Sequence, residues 1–208
     1  MTAPSHPPTS HVLYLHGFRS SPQSVKARLV GERVRREHPQ VTWLCPQLPP
    51  SPADAWRLIQ SETATWPAAS MVVIGSSLGG FYARALSLQR LCRAALLNPA
   101  VFPSRDLARH IGEQTSWHDP EERFFFEPGY VGELQELETL IHQQSALHPI
   151  QPDRLYALVT QGDEVLSWEE MASACEGGTV RILPGGDHAI SDFPRHMDDL
   201  FQHLHLVR

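Results

Sequence analysis

One serine has a sequence context that could make it a nucleophile. Ser77 is the centre of a G-x-S-x-G motif whose outer positions are Gly75 and Gly79. The motif follows an apolar run, Met71–Ile74, and precedes a helical pattern, so it would form a sharp strand-to-helix turn. Such a turn strains its central residue and leaves room only for small neighbours. The pattern predicts a nucleophile elbow, with the Ser77 hydroxyl at the positive end of a helix.

A serine hydroxyl is a weak nucleophile near neutral pH, so Ser77 would need a general base within hydrogen-bond distance. The chain has 12 histidines, and His188 has the most suitable position. It follows two glycines and an aspartate after the last apolar run, Val180–Leu183, where a loop would lie beside the elbow. His16, which follows the first apolar run, is the rival. We predict that His188 is the base.

The base needs a carboxylate that orients its ring, and with this type of elbow the order along the chain is serine, acid, histidine. Asp163 follows the apolar run Leu155–Thr160 and a glycine, where the chain would turn over the sheet edge. Its neighbour Glu164 is the alternative. Asp187 adjoins His188, but successive side chains usually diverge. We predict that Asp163 is the acid.

Acyl transfer also needs two amide donors for the negative oxygen of the tetrahedral intermediate. One donor is expected from the residue after the nucleophile, Leu78, and the other from the loop after the first strand. In that loop Gly17 would allow a close approach and Phe18 would present its backbone N–H. His16 would brace the loop through hydrogen bonds, without transferring a proton.

Other chemistries do not fit these residues. No lysine follows Gly79 or Gly80, so the turn is not a P-loop, and its glycine spacing does not match G-x-G-x-x-G. The chain has no H-E-x-x-H motif, and its three cysteines are widely separated. We therefore expect neither a metal nor a cofactor. The net charge of −6 argues against nucleic-acid binding.

Short apolar runs alternate with helical patterns along the chain, which predicts a parallel α/β sheet of about six strands with helices on both faces. The runs are continuous, as in strands that are covered on both sides. They are Val12–Leu15, Val41–Cys45, Met71–Ile74, Ala94–Leu97, Leu155–Thr160 and Val180–Leu183, and helices are expected over 22–38, 51–66, 78–91 and 192–203. The first helix would be capped by Ser20 or Ser21, and the second by Ser51 in a capping box with Asp54.

The 208 residues, with 41% hydrophobic and 19% charged side chains, are typical of one globular domain. The stretch 102–149 is too long for a simple crossover, and we interpret it as a helical cap or lid-like insertion. The first ten residues do not resemble a signal peptide, and no apolar run approaches the ~18 residues of a membrane span. We expect a cytoplasmic protein without membrane contact. Nothing in the sequence indicates its oligomeric state.

Four blocks of the sequence together resemble the YqiA-like esterases, a branch of the α/β-hydrolase superfamily. They are Tyr14–Ala27, Gly75–Ala83, Gly162–Leu166 and Gly185–His188, and they occur in the family's order over nearly the whole chain. The resemblance implies an α/β-hydrolase fold. This sequence departs from the family pattern at Ile190, where an aromatic residue is more usual.

The resemblance also implies serine esterase or thioesterase activity on small acyl substrates, with Ser77, Asp163 and His188 as the triad. Two alternatives remain open on the same fold: a serine peptidase or amidase, and a binding protein without catalytic activity. Arg19 could meet an anionic group of a substrate or be solvated. Several aromatic residues could line an acyl pocket or pack in the core; they are Phe18, Phe81, Tyr82, Trp117, Phe124–Phe126, Tyr130 and Trp168.

Overall fold

The computed structural model describes residues 7–117, 119 and 121–206. It contains the strands β1 (His11–Leu15), β2 (Thr42–Leu44), β3 (Met71–Ser76), β4 (Arg93–Leu97), β5 (Gly112–Thr115), β6 (Arg123–Phe126), β7 (Leu155–Thr160) and β8 (Thr179–Leu183). The α-helices are α1 (Val25–Glu37), α2 (Pro52–Thr63), α3 (Leu78–Arg90), α4 (Pro103–Leu107), α5 (Pro128–Leu147), α6 (Trp168–Ala174) and α7 (Met197–His203). Short 3₁₀ helices cover Ala108–His110 and Phe193–His196.

Six strands form one parallel sheet in the order β2-β1-β3-β4-β7-β8. Each of the six apolar runs becomes one of these strands, so the prediction of a parallel α/β fold is confirmed. From β1 the chain runs to the edge strand β2 and then returns across β1 to β3. Open α/β sheets usually bind ligands in the crevice at such a reversal. Because Leu15 pairs with Gly75, the segments that follow β1 and β3 start side by side.

The sheet separates two apolar layers, and alternate residues of one strand enter opposite layers. Leu13 and Leu15 pack with residues of α2, α3, α5 and α6, whereas Val12 and Tyr14 pack with residues of α1 and α7. All four of these strand side chains are completely buried. Coverage on both faces explains why β1, β3, β4 and β7 read as continuous apolar runs, whereas the edge strands β2 and β8 are partly exposed.

The first two helices differ in how well their starts were predicted. Ser51 caps α2 as predicted, accepting a hydrogen bond from the Asp54 amide at 3.1 Å. The expected cap of α1 at Ser20 or Ser21 is wrong, because the cap is Ser24. The Ser21 hydroxyl instead accepts from the Gln23 amide at 3.1 Å, so the residues before α1 form turns and delay the helix.

The stretch between β4 and β7 contains α4, a 3₁₀ turn, the antiparallel pair β5–β6 and α5. We expected only helices there. The pair escaped prediction because Gly112–Thr115 carries no apolar alternation. Its inner residue Phe126 is completely buried and packs edge-to-face on Phe18, with ring centroids 5.3 Å apart. The hairpin therefore lies directly on the loop after β1.

Among the described residues, no helix combines the length and apolar character that crossing a membrane requires.

Leu86 tests the packing of α3 on the sheet. Its side chain is fully buried, so Leu86→Ala should lower the free energy of unfolding by about 2–5 kcal/mol in urea denaturation. The matched control is Leu147→Ala, because that side chain is 69% exposed and its loss should change stability by less than about 0.5 kcal/mol. Equal losses in the two variants would contradict the assigned core.

Candidate active site

Ser77 lies in the strained turn that its motif predicts. It has φ 55° and ψ −123°, a backbone conformation that is unfavourable for a residue with a side chain. A Cβ at Gly75 would overlap Gly79, and a Cβ at Gly79 would overlap the carbonyl of Leu15. The Ser77 backbone also donates to Leu97 O and accepts from Ala100 N, both at 3.0 Å. Close packing on all sides therefore maintains the strain.

The structure brings Ser77, His188 and Asp163 together. His188 Nε2 lies 3.0 Å from Ser77 Oγ, and His188 Nδ1 lies 2.7 Å from Asp163 Oδ2. The Asp163 carboxylate can only accept, so the neutral imidazole carries its proton on Nδ1 and presents a lone pair at Nε2. The ring is thus oriented to accept a proton from the serine hydroxyl.

The loop after β7 holds the Asp163 carboxylate in place. Its second oxygen, Oδ1, accepts hydrogen bonds from the amides of Val165 and Leu166, each at 2.8 Å. The side chain has no exposed surface, whereas that of His188 is 21% exposed. A buried carboxylate with three donors can stabilise a positive charge on the neighbouring ring.

The alternative acids have other partners. Glu164 accepts from the backbone amide of His188 at 3.0 Å, so it holds the loop while Asp163 contacts the ring. Asp187 accepts from the Ser191 amide at 2.9 Å and from the Ser191 hydroxyl at 2.5 Å. These hydrogen bonds lower the pKa of Asp187 below its usual value. Both groups position the loop of His188.

His16, the rival base, has the bracing geometry predicted for it. Its Nε2 accepts from the Leu48 amide at 3.0 Å, which leaves the proton on Nδ1, 3.0 Å from the Gly17 carbonyl oxygen. The residue is only 3% exposed. Its ring ties the loop after β1 to the segment after β2.

The two predicted oxyanion donors flank Ser77. Leu78 is the first residue of α3, and Phe18 lies in the loop whose Gly17 would place a Cβ 3.1 Å from that of Ser77. Within the ranges that the structure describes, neither the Phe18 nor the Leu78 amide donates to another protein group. Both remain available to a ligand beside Ser77.

Arg19 is not simply solvated, because protein groups bind its guanidinium. Its Nε donates to the Thr115 carbonyl at 2.7 Å, and its guanidinium stacks on the Trp117 ring at 4.1 Å. The Trp117 amide donates in turn to Arg19 O at 2.8 Å. Arg19 therefore joins the loop after β1 to the β5–β6 hairpin.

Asn98 is a site residue that sequence reasoning missed. It is fully buried at the end of β4, with φ 42°. Its Nδ2 lies 2.9 Å from Thr160 Oγ1 and 3.2 Å from the carbonyl oxygens of Asp187 and His188, while its Oδ1 accepts from Thr160 N at 2.9 Å. A polar residue directly after an apolar strand was the available signal. Asn98 joins β4 and β7 to the loop of His188.

Lys26 was missed as well, although it is the only lysine in the sequence and this uniqueness was the available signal. Its ammonium donates to the carbonyl of Ala189 at 2.5 Å, next to His188. Burial lowers the pKa of Lys26 to about 8, although Asp187 and Asp163 act in the opposite direction. The lysine is a second support for the loop that carries His188.

A cleft of about 600 Å³ opens over Ser77 and His188. Phe18 and Trp117 are the two of the candidate aromatic residues that line it. A smaller depression of about 310 Å³ lies on the other side of Phe18, against Leu78, Tyr82 and Phe124. No group of three or more potential metal ligands is found among the described residues.

Asn98→Ala tests the support of the base loop. The change leaves buried backbone groups without partners and places alanine at a positive φ, so it should lower the free energy of unfolding by about 1–3 kcal/mol. Urea denaturation measures the loss. Gln89→Ala, at an exposed amide, is the control and should stay within about 0.5 kcal/mol of the parent. A neutral Asn98→Ala would contradict the assigned role.

Solved structures share this fold at low sequence identity. A structure from LipS and LipT, two metagenome-derived lipolytic enzymes, has a TM-score of 0.71 and 16% identity, with 96% of this chain and 95% of that chain covered. The α/β hydrolase GrgF from Penicillium sp. sh18 has a TM-score of 0.68 and 11% identity, with 97% of this chain and 91% of that chain covered. Est1E from Butyrivibrio proteoclasticus, with bound ferulic acid, has a TM-score of 0.63 and 13% identity, with 95% of this chain and 87% of that chain covered. The fold is that of the α/β-hydrolases.

The sequence also matches a protein-family model. The family is described as "Uncharacterised protein family (UPF0227)", and the match covers residues 11–205, nearly the whole chain. This family is the YqiA family, so the resemblance drawn from four sequence blocks is confirmed. The chain therefore belongs to the UPF0227, or YqiA, family.

Proposed function

We propose that this protein is a serine hydrolase that cleaves carboxylic ester or thioester bonds of small acyl substrates. The observation that carries the proposal is the contact sequence from Ser77 Oγ through His188 to Asp163, at 3.0 and 2.7 Å. Similar folds in a structure from two lipolytic enzymes and in an esterase domain of a Rhodothermus marinus protein add support. The reaction needs no cofactor.

In the first half of the reaction, Ser77 Oγ attacks the acyl carbon while its proton passes to His188 Nε2. Asp163 stabilises the resulting imidazolium. The amides of Phe18 and Leu78 bind the oxyanion, and losing one such donor typically costs about 3 kcal/mol of transition-state stabilisation. The bond to the leaving oxygen or sulfur then breaks, and the leaving group takes the proton from His188.

Water completes the cycle. It gives one proton to His188 while its oxygen bonds to the acyl carbon, forming a second tetrahedral intermediate in the same oxyanion hole. Collapse of this intermediate breaks the bond to Ser77 Oγ and returns the proton to the serine. The carboxylic acid leaves through the cleft. We propose that the inserted segment 102–149 acts as the cap of this cleft, since its Trp117 lines the opening.

Ser77→Ala tests the nucleophile. A fluorophosphonate probe should label the parent protein covalently and leave Ser77→Ala unlabelled, because the reacting oxygen is gone. Hydrolysis of esters and acyl-CoA thioesters across a series of chain lengths should fall by about 10⁴-fold or more. Ser76→Ala, at the preceding residue, is the matched control and should keep its labelling. Labelling of Ser77→Ala at the rate of the parent would overturn the mechanism.

The acid is tested by a pair of isosteric changes. Asp163→Asn should reduce kcat by about 10³–10⁴-fold at neutral pH, because the amide favours the wrong tautomer of His188. Asp187→Asn should cost at most about tenfold, since it removes a charge near Lys26 and weakens the hydrogen bonds to Ser191 but leaves the Asp163–His188 contact in place. Steady-state kinetics with one short-chain ester separates the two. Equal losses of kcat in the two variants, or a larger loss in Asp187→Asn, would show that Asp163 is not the acid.

A further inference from the structure

A second concave site lies away from the triad. A groove of about 810 Å³ runs between α3, α5 and α6, and it shares no lining residue with the cleft over Ser77. Small-molecule pockets commonly have volumes of about 300–1,000 Å³. The groove is thus large enough for a ligand of its own.

The walls of this groove are mainly apolar. Residues of the sheet, of α3, of the inserted segment and of the chain on either side of that segment meet there; they include Phe81, Leu96, Ala100, Phe102, Ile141 and Ile150. Phe102 is 45% exposed although it faces this apolar surface. Such walls favour an aliphatic or aromatic body over a polar one.

One guanidinium in the groove lacks a counterion. In the part of the chain that the structure describes, Arg84 donates one side-chain hydrogen bond, from Nη2 to Ser145 Oγ at 3.3 Å, and no carboxylate lies within ion-pair distance. Arg90, on the same helix, instead donates to two backbone carbonyls, at 2.7 and 2.6 Å. Burial lowers the pKa of Arg84, as expected of a desolvated cation.

The acidic residues of the groove do not neutralise Arg84. Both oxygens of Glu138 accept from Ser104, one from its amide and one from its hydroxyl, each at 2.8 Å. Glu176 is exposed at the groove. These two carboxylates disfavour a doubly charged phosphate, whereas a singly charged carboxylate is repelled less and matches the fork of a guanidinium.

We propose that this groove is a binding site for an amphiphilic carboxylate, with the carboxylate on Arg84 and the apolar chain along the groove walls. Medium-chain fatty acids and arylalkanoic acids have this chemistry. The site does not depend on Ser77, so it stands or falls separately from the proposed hydrolase activity.

Titration calorimetry with dodecanoate, below its micellar concentration, tests the site. The parent protein should bind one equivalent, and Arg84→Gln should bind at least tenfold more weakly because the carboxylate loses its partner. Arg28→Gln, at an exposed arginine of α1, is the matched control and should bind within twofold of the parent. Dodecanol should bind at least tenfold more weakly than dodecanoate.

Two filling variants locate the ligand. Thr139→Trp, at an exposed position of the groove, should block dodecanoate, whereas Val25→Trp, at an exposed position of the cleft over Ser77, should not. Circular dichroism verifies the fold of each variant. The Thr139→Trp and dodecanol arms keep the test decisive should Arg84→Gln fail to fold.

Three results would overturn the proposal: no saturable binding to the parent, binding to Arg84→Gln within twofold of the parent, or loss of binding in Val25→Trp but not in Thr139→Trp. The last would place dodecanoate in the catalytic cleft. Ser77→Ala should bind dodecanoate like the parent even if it hydrolyses nothing, which separates failure of this site from failure of the proposed function.

Discussion

The carbonyl of Leu15 lies so close to Gly79 that no side chain fits between them. This contact brings the end of β1 against the first turn of α3, and the parallel pairing of Leu15 with Gly75 keeps it in register. Ser77 is forced to a positive φ by the same packing. The Phe18 amide follows β1 and the Leu78 amide follows β3. The distance between these two candidate oxyanion donors depends on the contact of Leu15 with Gly79, because a shift there would move the two amides apart.

Local patterns in the sequence were sufficient to predict the sheet and the proximity of Ser77, His188 and Asp163, whose catalytic roles are proposals. Each strand of the six-stranded sheet coincides with a mainly apolar run, and Ser77, Asp163 and His188 each follow one of these runs. Because the carboxyl ends of parallel strands lie at the same edge of the sheet, residues that directly follow neighbouring strands can be predicted to lie close together. No comparable rule exists for Asn98, whose contacts join elements that are distant in sequence.

The missed residues have a common cause. The structural roles of Arg19 and Lys26 depend on hydrogen bonds to Thr115 and Ala189, which are 96 and 163 residues away in the sequence. Their side chains are long and can reach several acceptors, so sequence context cannot choose among them. The β5–β6 pair was missed for a related reason, since its polar strand is held by pairing with Phe124–Phe126 rather than by its own composition.

Arg19 links the hairpin to the backbone that carries the Phe18 amide, through Thr115 and through the Trp117 amide. Under the proposed mechanism, a leaving group bulky enough to displace Trp117 would therefore also pull the Phe18 amide out of alignment with the oxyanion. Discrimination against such groups would show in turnover rather than in ground-state affinity, since the donor acts on the charge that develops during reaction. If the protein is the hydrolase proposed above, the selectivity of the cleft would depend on the same contacts that position this amide.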